Sequence, residues 1–438
     1  MTAPERDEIA AYIAAAGRAA WDVPGLTEPL RRRDIASVGI IGAGTMGGGI
    51  AMNFASAGIP VVILETAQDA LSRGLGVVRG HYQRSADKGR YPQDEVEARM
   101  GRISGTLRMG DLAGCDLIIE AAFEDLALKK TIFAALDGIA KPGAILATNT
   151  SGLDIDAIAA ATARPGDVIG LHFFSPANVM KLLEIVRAEE TAEDVVATAM
   201  DLARTINKIA VLAGVCPGFV GNRILRARQV QANKLLYRGA MPWDVDAALN
   251  AFGFRMGPYQ MSDLAGLDIG WSKGARTANP IRDALCEMDR RGQKTDAGFY
   301  DYDSARRPTP SDAAAQVIRD VTGAAPRAMA SDEIIETCIF PMINEAVRIL
   351  EDNKAQRPSD IDVVWLNGYG WPADTGGPMF FADMVGAPAV LARMEILGAE
   401  DPDFAPAETL RRLAADGGRF RDLDLGGLKT DKQKRAAR

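Results

Sequence analysis

Residues 37–65 read SVGIIGAGTMGGGIAMNFASAGIPVVILE, and this stretch decides the fold. Val38 to Ile41 form a short apolar run of strand length, and Gly42, Gly44 and Gly47 behind it fit the spacing GxGxxG. A helix is expected to open there and to end at Ala57-Gly58, after which a second apolar strand, Val61 to Leu64, delivers Glu65 at its carboxyl end. The product is one β-α-β unit. Gly42 permits the tight turn, Gly44 lets a pyrophosphate approach the backbone, and Gly47 lets helix and strand pack closely. Thr45 and Met46 sit between them in the helix's first turn, whose free N–H groups face the phosphates. Glu65 can accept hydrogen bonds from both adenosine ribose hydroxyls and repels a 2′-phosphate, which favours NAD over NADP.

Working outward, residues 1–36 read as a helical arm: residues 5–20 have helical composition, and Pro24-Gly25 stops the pattern before Arg31-Arg32-Arg33. Beyond Glu65, Asp69 to about Met100 looks like two charged helices broken at Lys88-Gly89 and Pro92, a protruding hairpin. Its Arg84, Lys88 and Arg90 could meet an anionic ligand or form a plain solvated face. Alternation then resumes, with strands at Asp116–Phe123, Ala144–Thr148 and Val168–Phe174 and helices at Leu126–Ile139 and Asp154–Ala161. Two further apolar runs, Leu182–Val186 and Ile209–Leu212, flank the helix Asp194–Ile206. The expectation for residues 37–213 is an α/β Rossmann-type domain with a parallel, doubly wound sheet and a hairpin insertion. Ligands in such sheets sit beyond the carboxyl ends of the strands, where Glu124, Lys129, Asn149, Ser151 and His172 fall.

Past residue 214 the strand signal thins and helical patterns take over. Residues 214–310 form a first helical domain, 311–330 a Pro- and Ala-rich linker, 331–420 a second helical domain, and 421–438 a basic tail, frayed from Lys429. The two helical domains share a weak repeat. Pro242-Trp243-Asp244-Val245-Asp246 matches Pro358-Ser359-Asp360-Ile361-Asp362. Gly257-Pro258 with Asp263 and Gly266 likewise matches Gly377-Pro378 with Asp383 and Gly386.

Composition narrows the function classes. Among 438 residues, 47% are apolar and 25% charged, and the net charge of −8 argues against a nucleic-acid binder. Cys115, Cys216, Cys286 and Cys338 form no CxxC and read as buried thiols of a reducing compartment, so a cytoplasmic protein is expected. No apolar run approaches a membrane span, no signal peptide is legible, and no metal-ligand set is expected.

Only two histidines occur, His81 and His172. His172 lies in LHFFSP at a strand end, and Glu184 lies in the next apolar strand, LLEIV, where a carboxylate is costly unless paired. The simplest partner is His172. Glu184 would accept from one ring nitrogen and fix the tautomer, leaving the other nitrogen to take a proton from an alcohol; the bland alternative is a purely structural pair. Ser151 could donate to a substrate oxygen, although Ser151-Gly-Leu-Asp154 also fits a capping box. Asn222, in GFVGNR, becomes catalytic only if both domains close over one site. His81, in the charged hairpin, reads as a surface residue.

Taken together, the Gly-rich unit, IIEAAFEDLALKK, ATNTSGL, LHFFSPANVMKLLEIV and PGFVGNRIL resemble the NAD-dependent L-3-hydroxyacyl-CoA dehydrogenases of fatty acid β-oxidation, over residues 37 to about 270. RGQKTDAGFYDYD and RPSDIDVVWLNGYGWP look like the dehydrogenase portion of the multifunctional enzymes of that pathway, which carry two tandem C-terminal helical domains. The resemblance implies His172 as base, Glu184 as its orienting partner, Ser151 and Asn222 holding the oxygen, Glu65 on the adenosine ribose, and Glu124 and Lys129 near the nicotinamide half of NAD. It also implies that the hairpin contacts CoA. No counterpart of the hydratase domain of those enzymes stands before residue 37, so hydratase activity is expected to be absent. Thr375 replaces an arginine frequent in the family, a departure that touches the last domain and not the chemistry. An acyl-CoA substrate, a separate hydratase or thiolase partner, and a monomer or homodimer are implied. A dehydrogenase of CoA-free 3-hydroxy acids and a non-catalytic NAD-binding scaffold stay open as alternatives.

Overall fold

The computed structural model describes residues 3–24, 26, 30–424 and 427–428, and their contacts divide the chain into two units. Gly25 and the basic stretch from Lys429 lie outside the described residues.

The first unit comprises Met1–Arg223, Ile349–Tyr369 and Arg421–Arg438. Its centre is one eight-stranded sheet of β1 (Val38–Ile41), β2 (Val61–Leu64), β3 (Ile103–Thr106), β4 (Leu117–Glu120), β5 (Ile145–Thr148), β6 (Val168–Phe173), β7 (Leu182–Arg187) and β8 (Ile209–Gly214). The spatial order is β3-β2-β1-β4-β5-β6-β7-β8. The order turns outward in both directions from β1 and β4, and that switch leaves a crevice beyond their carboxyl ends. β1, β4 and β5 are short, mostly aliphatic and wholly buried, as strands covered on both faces must be. The covering helices are α1 (Ala3–Ala19), α2 (Thr45–Ser56), the hairpin α3 (Gln68–Asp87) and α4 (Gln93–Met100), then α5 (Leu126–Ile139), α6 (Ile155–Ala159) and α7 (Glu193–Thr205).

Two expectations need correction here. The sheet is not parallel throughout: β7 runs antiparallel to β6, and β8 follows β7. Residues 174–181 alone join β6 to β7, and a parallel return needs a crossover of about a dozen residues or more. β3 was not expected at all; it is an edge strand whose central Ser104 and Gly105 are exposed, so it carries little apolar signal.

The second unit comprises Ile224–Arg348 and Gly370–Phe420. The chain passes into it within α8 (Gly221–Tyr237), and continues through α9 (Pro242–Phe252), α10 (Pro258–Ala265), α11 (Pro280–Glu287), the antiparallel pair β9 (Tyr300–Tyr302) and β10 (Pro308–Pro310), α12 (Asp312–Thr322) and α13 (Ser331–Glu351). Residues 311–330, expected to be a linker, contain α12. Ser311 caps it by accepting from Ala314 N, and Ala314, Ala315, Val317 and Ile318 are buried, so spacing overrode composition. Two acids staple this unit. Asp246 accepts from Tyr259 N, Gln260 N and the Tyr300 hydroxyl, and Asp263 from Phe299 N, Tyr300 N and the Tyr302 hydroxyl. Burial pushes each carboxyl up to about 6, against the pull of those same bonds.

The sequence repeat is visible as recurring helix pairs. α14 (Pro358–Gly368) and α15 (Pro378–Val385) open on proline as α9 and α10 do. α14, however, groups with the first unit, where it packs on α1, β7 and β8. Asp362 accepts from the Tyr12 hydroxyl, and the Arg357 guanidinium donates to the carbonyls of Ala19 and Asp22. α16 (Ala387–Glu400) and α17 (Glu408–Asp416) complete the second unit.

Candidate active site

The glycine-rich turn has the geometry its sequence predicts. Gly42 takes φ +102°, and a Cβ there would meet Ala121 O at 2.8 Å. A Cβ on Gly47 would lie 1.9 Å from Gly42 O, so only glycine lets α2 approach β1, whereas Gly44 faces open space. Gly44 is also the N-cap of α2 and offers no side chain, so the helix's first N–H groups are left for an anion. Thr45 is exposed and Met46 half-buried in that first turn. Glu65 bends back to the same loop, accepting from Ala43 N at 3.1 Å. These features fit a dinucleotide: backbone amides for the pyrophosphate and a carboxylate for the ribose.

His172 and Glu184 are directly opposed across the β6–β7 pair, and opposed residues point to the same face of a sheet. His172 Nδ1 lies 2.7 Å from Glu184 Oε2, with side-chain exposures of 6% and 0%. The second carboxylate oxygen is taken by Gly221 N at 2.9 Å, at the start of α8. Both oxygens of Glu184 are therefore committed, and the imidazole is held with its Nε2 as the free nitrogen. The rings of Phe174 and Phe219 wall it at 4.3 and 5.7 Å.

A second network runs beside this pair. Lys129, 1% exposed, donates to both oxygens of Glu120, which also accepts from Thr148 Oγ1 and Ala122 N. Lys129 Nζ is 3.4 Å from Glu124, whose other oxygen accepts from Thr150 Oγ1, Ser151 N and Ser151 Oγ. Burial opposes charge on Glu124, yet the hydroxyls and amide it accepts from and the nearby ammonium outweigh burial and hold its carboxyl below the ordinary value. Lys129, expected near the nicotinamide half of NAD, is buried against Glu120 and reaches Glu124. Asn149 ties strand ends together by accepting from Phe173 N.

Ser151 is not a helix cap: Asp154 caps α6 by accepting from Ala157 N, and the Ser151 hydroxyl is turned to Glu124. Asn222 lies in the first unit, and its Nδ2 donates to Ser151 O at 3.2 Å, so the two meet without closure of separate domains. His81 is half-buried in α3 with its Nδ1 3.0 Å from Arg84; burial first, then that guanidinium, lower its pKa. Lys88 and Arg90 are exposed. Sequence reasoning missed Glu120 and Thr148, whose partner Lys129 is spoken for only in three dimensions, and Tyr369, whose hydroxyl donates to Asn222 Oδ1. All four cysteines are buried and free, and no described helix is long and apolar enough to cross a membrane.

The family model for the NAD-binding domain of 3-hydroxyacyl-CoA dehydrogenase matches residues 37–216, and that for the C-terminal domain of the same enzyme matches residues 218–302 and again 334–423. The peroxisomal bifunctional enzyme of Cavia porcellus is 42% identical over 440 residues, covering 93% of this chain and 60% of that protein. The chain thus spans about 60% of such a relative's length. Among solved structures, the dehydrogenase part of multifunctional enzyme 1 from C. elegans is 31% identical with TM-score 0.66, covering 92% of this chain and 96% of that one. The 3-hydroxybutyryl-CoA dehydrogenase of Escherichia coli is 27% identical with TM-score 0.76, covering 87% and 99%.

Proposed function

The chain belongs to the 3-hydroxyacyl-CoA dehydrogenase family, and from that premise we propose that it oxidises an (S)-3-hydroxyacyl-CoA of fatty acid β-oxidation to the 3-oxoacyl-CoA. The buried His172–Glu184 pair beside an NAD-type loop carries this reading. His172 Nε2 takes the proton of the C3 hydroxyl, while Glu184 keeps the ring's tautomer and offsets the charge that develops on it. Asn222 donates an N–H to the same oxygen, and Ser151, tied to Glu124 through its hydroxyl and to Asn222 through its carbonyl, sets the position of that amide. Bound NAD supplies the hydride acceptor. In the reverse direction the imidazolium returns the proton.

Glu65 holds the ribose, Glu124 and Asn149 border the nicotinamide half, and the exposed Lys88 and Arg90 of the hairpin meet CoA phosphates. The tandem helical modules, a monomer or homodimer, and a separate hydratase or thiolase partner belong to the same proposal. Cytoplasmic residence rests on the free buried thiols; the guinea-pig relative is named peroxisomal, and fluorescence localisation of the tagged protein separates the two compartments.

His172→Ala tests the reading. With acetoacetyl-CoA and NADH, kcat should fall by about 10² to 10⁴ while NADH affinity is retained. A kcat within twofold of the parent protein would overturn it.

A further inference from the structure

The second helical copy sends one side chain back to the reacting centre. Across the end of α14 the chain reads Leu366-Asn367-Gly368-Tyr369-Gly370-Trp371, and across the end of α9 the first copy reads Leu249-Asn250-Ala251-Phe252-Gly253-Phe254. Two differences matter: a phenol stands where the first copy has a phenyl ring, and glycine precedes it where the first copy has alanine.

Both changes serve an approach to the sheet. A Cβ on Gly368 would meet Leu182 Cδ2 at 2.4 Å, so glycine is what lets the end of α14 lie against the start of β7, two residues from Glu184. Tyr369 then stacks on Trp365 at 4.6 Å and sets its ring edge-on to Phe174 at 5.4 Å, the same Phe174 that walls His172. The ring also covers Gly221, where a Cβ would lie 2.2 Å from it, and Gly221 N is the donor that holds Glu184. Its hydroxyl donates to Asn222 Oδ1 at 2.8 Å.

That last bond decides which end of the Asn222 amide is presented. An amide carries an acceptor at one end and donors at the other, and a half-turn exchanges them. With Oδ1 held by the phenol and one N–H spent on Ser151 O, the remaining N–H is the group offered to an oxygen; flipped, the amide would offer a lone pair and repel it. Burial first, then the charge of Glu184, push the Tyr369 pKa well above its ordinary value, so the phenol stays a donor across the working range.

We infer that Tyr369 is a positioning residue for the dehydrogenation, supplied by the second helical copy, which fixes the Asn222 amide with its N–H toward the substrate oxygen. The inference rests on the function proposed above.

Tyr369→Phe removes the hydroxyl and keeps the ring. In the full chain kcat should fall about five- to tenfold, the loss of one buried hydrogen bond, with NADH affinity unchanged and a melting temperature close to that of the parent protein. Asn222→Ala should cost at least as much, and adding Tyr369→Phe to it should cost nothing further, because the phenol acts only through that amide. A merely structural tyrosine would lower both rates independently. An unchanged kcat in Tyr369→Phe, or two effects that multiply in the double variant, overturns the inference while leaving the function intact. A misfolded Tyr369→Phe, recognised by lost NADH binding, also counts against it, since a positioning hydroxyl is not needed to fold. A parent chain that turns over no 3-hydroxyacyl-CoA would sink the function and this inference together, whereas an active parent that His172→Ala cripples and Tyr369→Phe leaves unchanged sinks the inference alone.

Discussion

Both units bury carboxylates, and the two sets do different things. In the first unit Glu120 and Glu184 each face a side chain that can carry positive charge, Lys129 and His172. In the second, Asp246 and Asp263 face backbone amides and phenols. Asp246 and Asp263 are pushed up to about 6 yet only staple one segment to another, and in the first unit burial pushes Asp360, outside the His172–Glu184 pair, up to about 7. A displaced pKa therefore reports burial. What marks a reactive site is a partner with a valence to spare: His172 keeps Nε2, whereas the phenols on Asp246 and Asp263 have given their only proton away.

The contrast can be broken most forcefully at Lys129. Lys129→Met leaves the Glu120 carboxyl wholly buried and without its ammonium, which should lower the unfolding free energy by about 3–5 kcal/mol in a urea melt. A loss under about 1 kcal/mol would make this acid no different from those of the second unit.

Next comes the pH dependence, where Asp263 and Glu124 should have opposite signs. The folded pKa of Asp263 is raised, so its contribution to stability is complete below the unfolded value near 4 and is lost as pH rises through about 6. The unfolding free energy of the parent protein minus that of Asp263→Asn should fall from about pH 4 to about pH 6 and then level. Glu124, held below its ordinary value, contributes above the unfolded pKa and loses that contribution as pH drops, so the corresponding difference for Glu124→Gln should fall on acidification. Parallel slopes would erase the distinction. The smallest effect is expected from Tyr302→Phe, which removes one of three donors to Asp263 and should cost about 1 kcal/mol in the same melt without changing NADH affinity.

The parts legible in the sequence were those whose logic is local or whose residue type is scarce. The β-α-β unit follows from apolar runs and three glycines within one short stretch; the roles of Gly42 and Gly47 reappear as contact distances and that of Gly44 as open space. The His172–Glu184 pair was legible because a lone acid in an apolar strand demands a partner and histidine occurs only twice. The reversal at β7 was also readable, since residues 174–181 are too few for a crossover, but the run of earlier alternation masked it. For Ser151 the sequence left two readings open, because the capping box is a local pattern while the bond from its hydroxyl to Glu124 is not. α12 was hidden by the composition of its neighbours. Tyr369 and Glu120 could not be found by any local rule: one acts across 147 positions, and the other is satisfied through Lys129 and Thr148 from two different elements.

Leu428 packs in the same hydrophobic cluster as Val38, Ile40 and Ile63, and its N–H is held by Gln356. A ribosome releases β1 and β2 long before it releases this last member of their cluster. The first unit therefore gains its last segments only after the second unit has been synthesised, so its sheet stays incompletely covered for that interval.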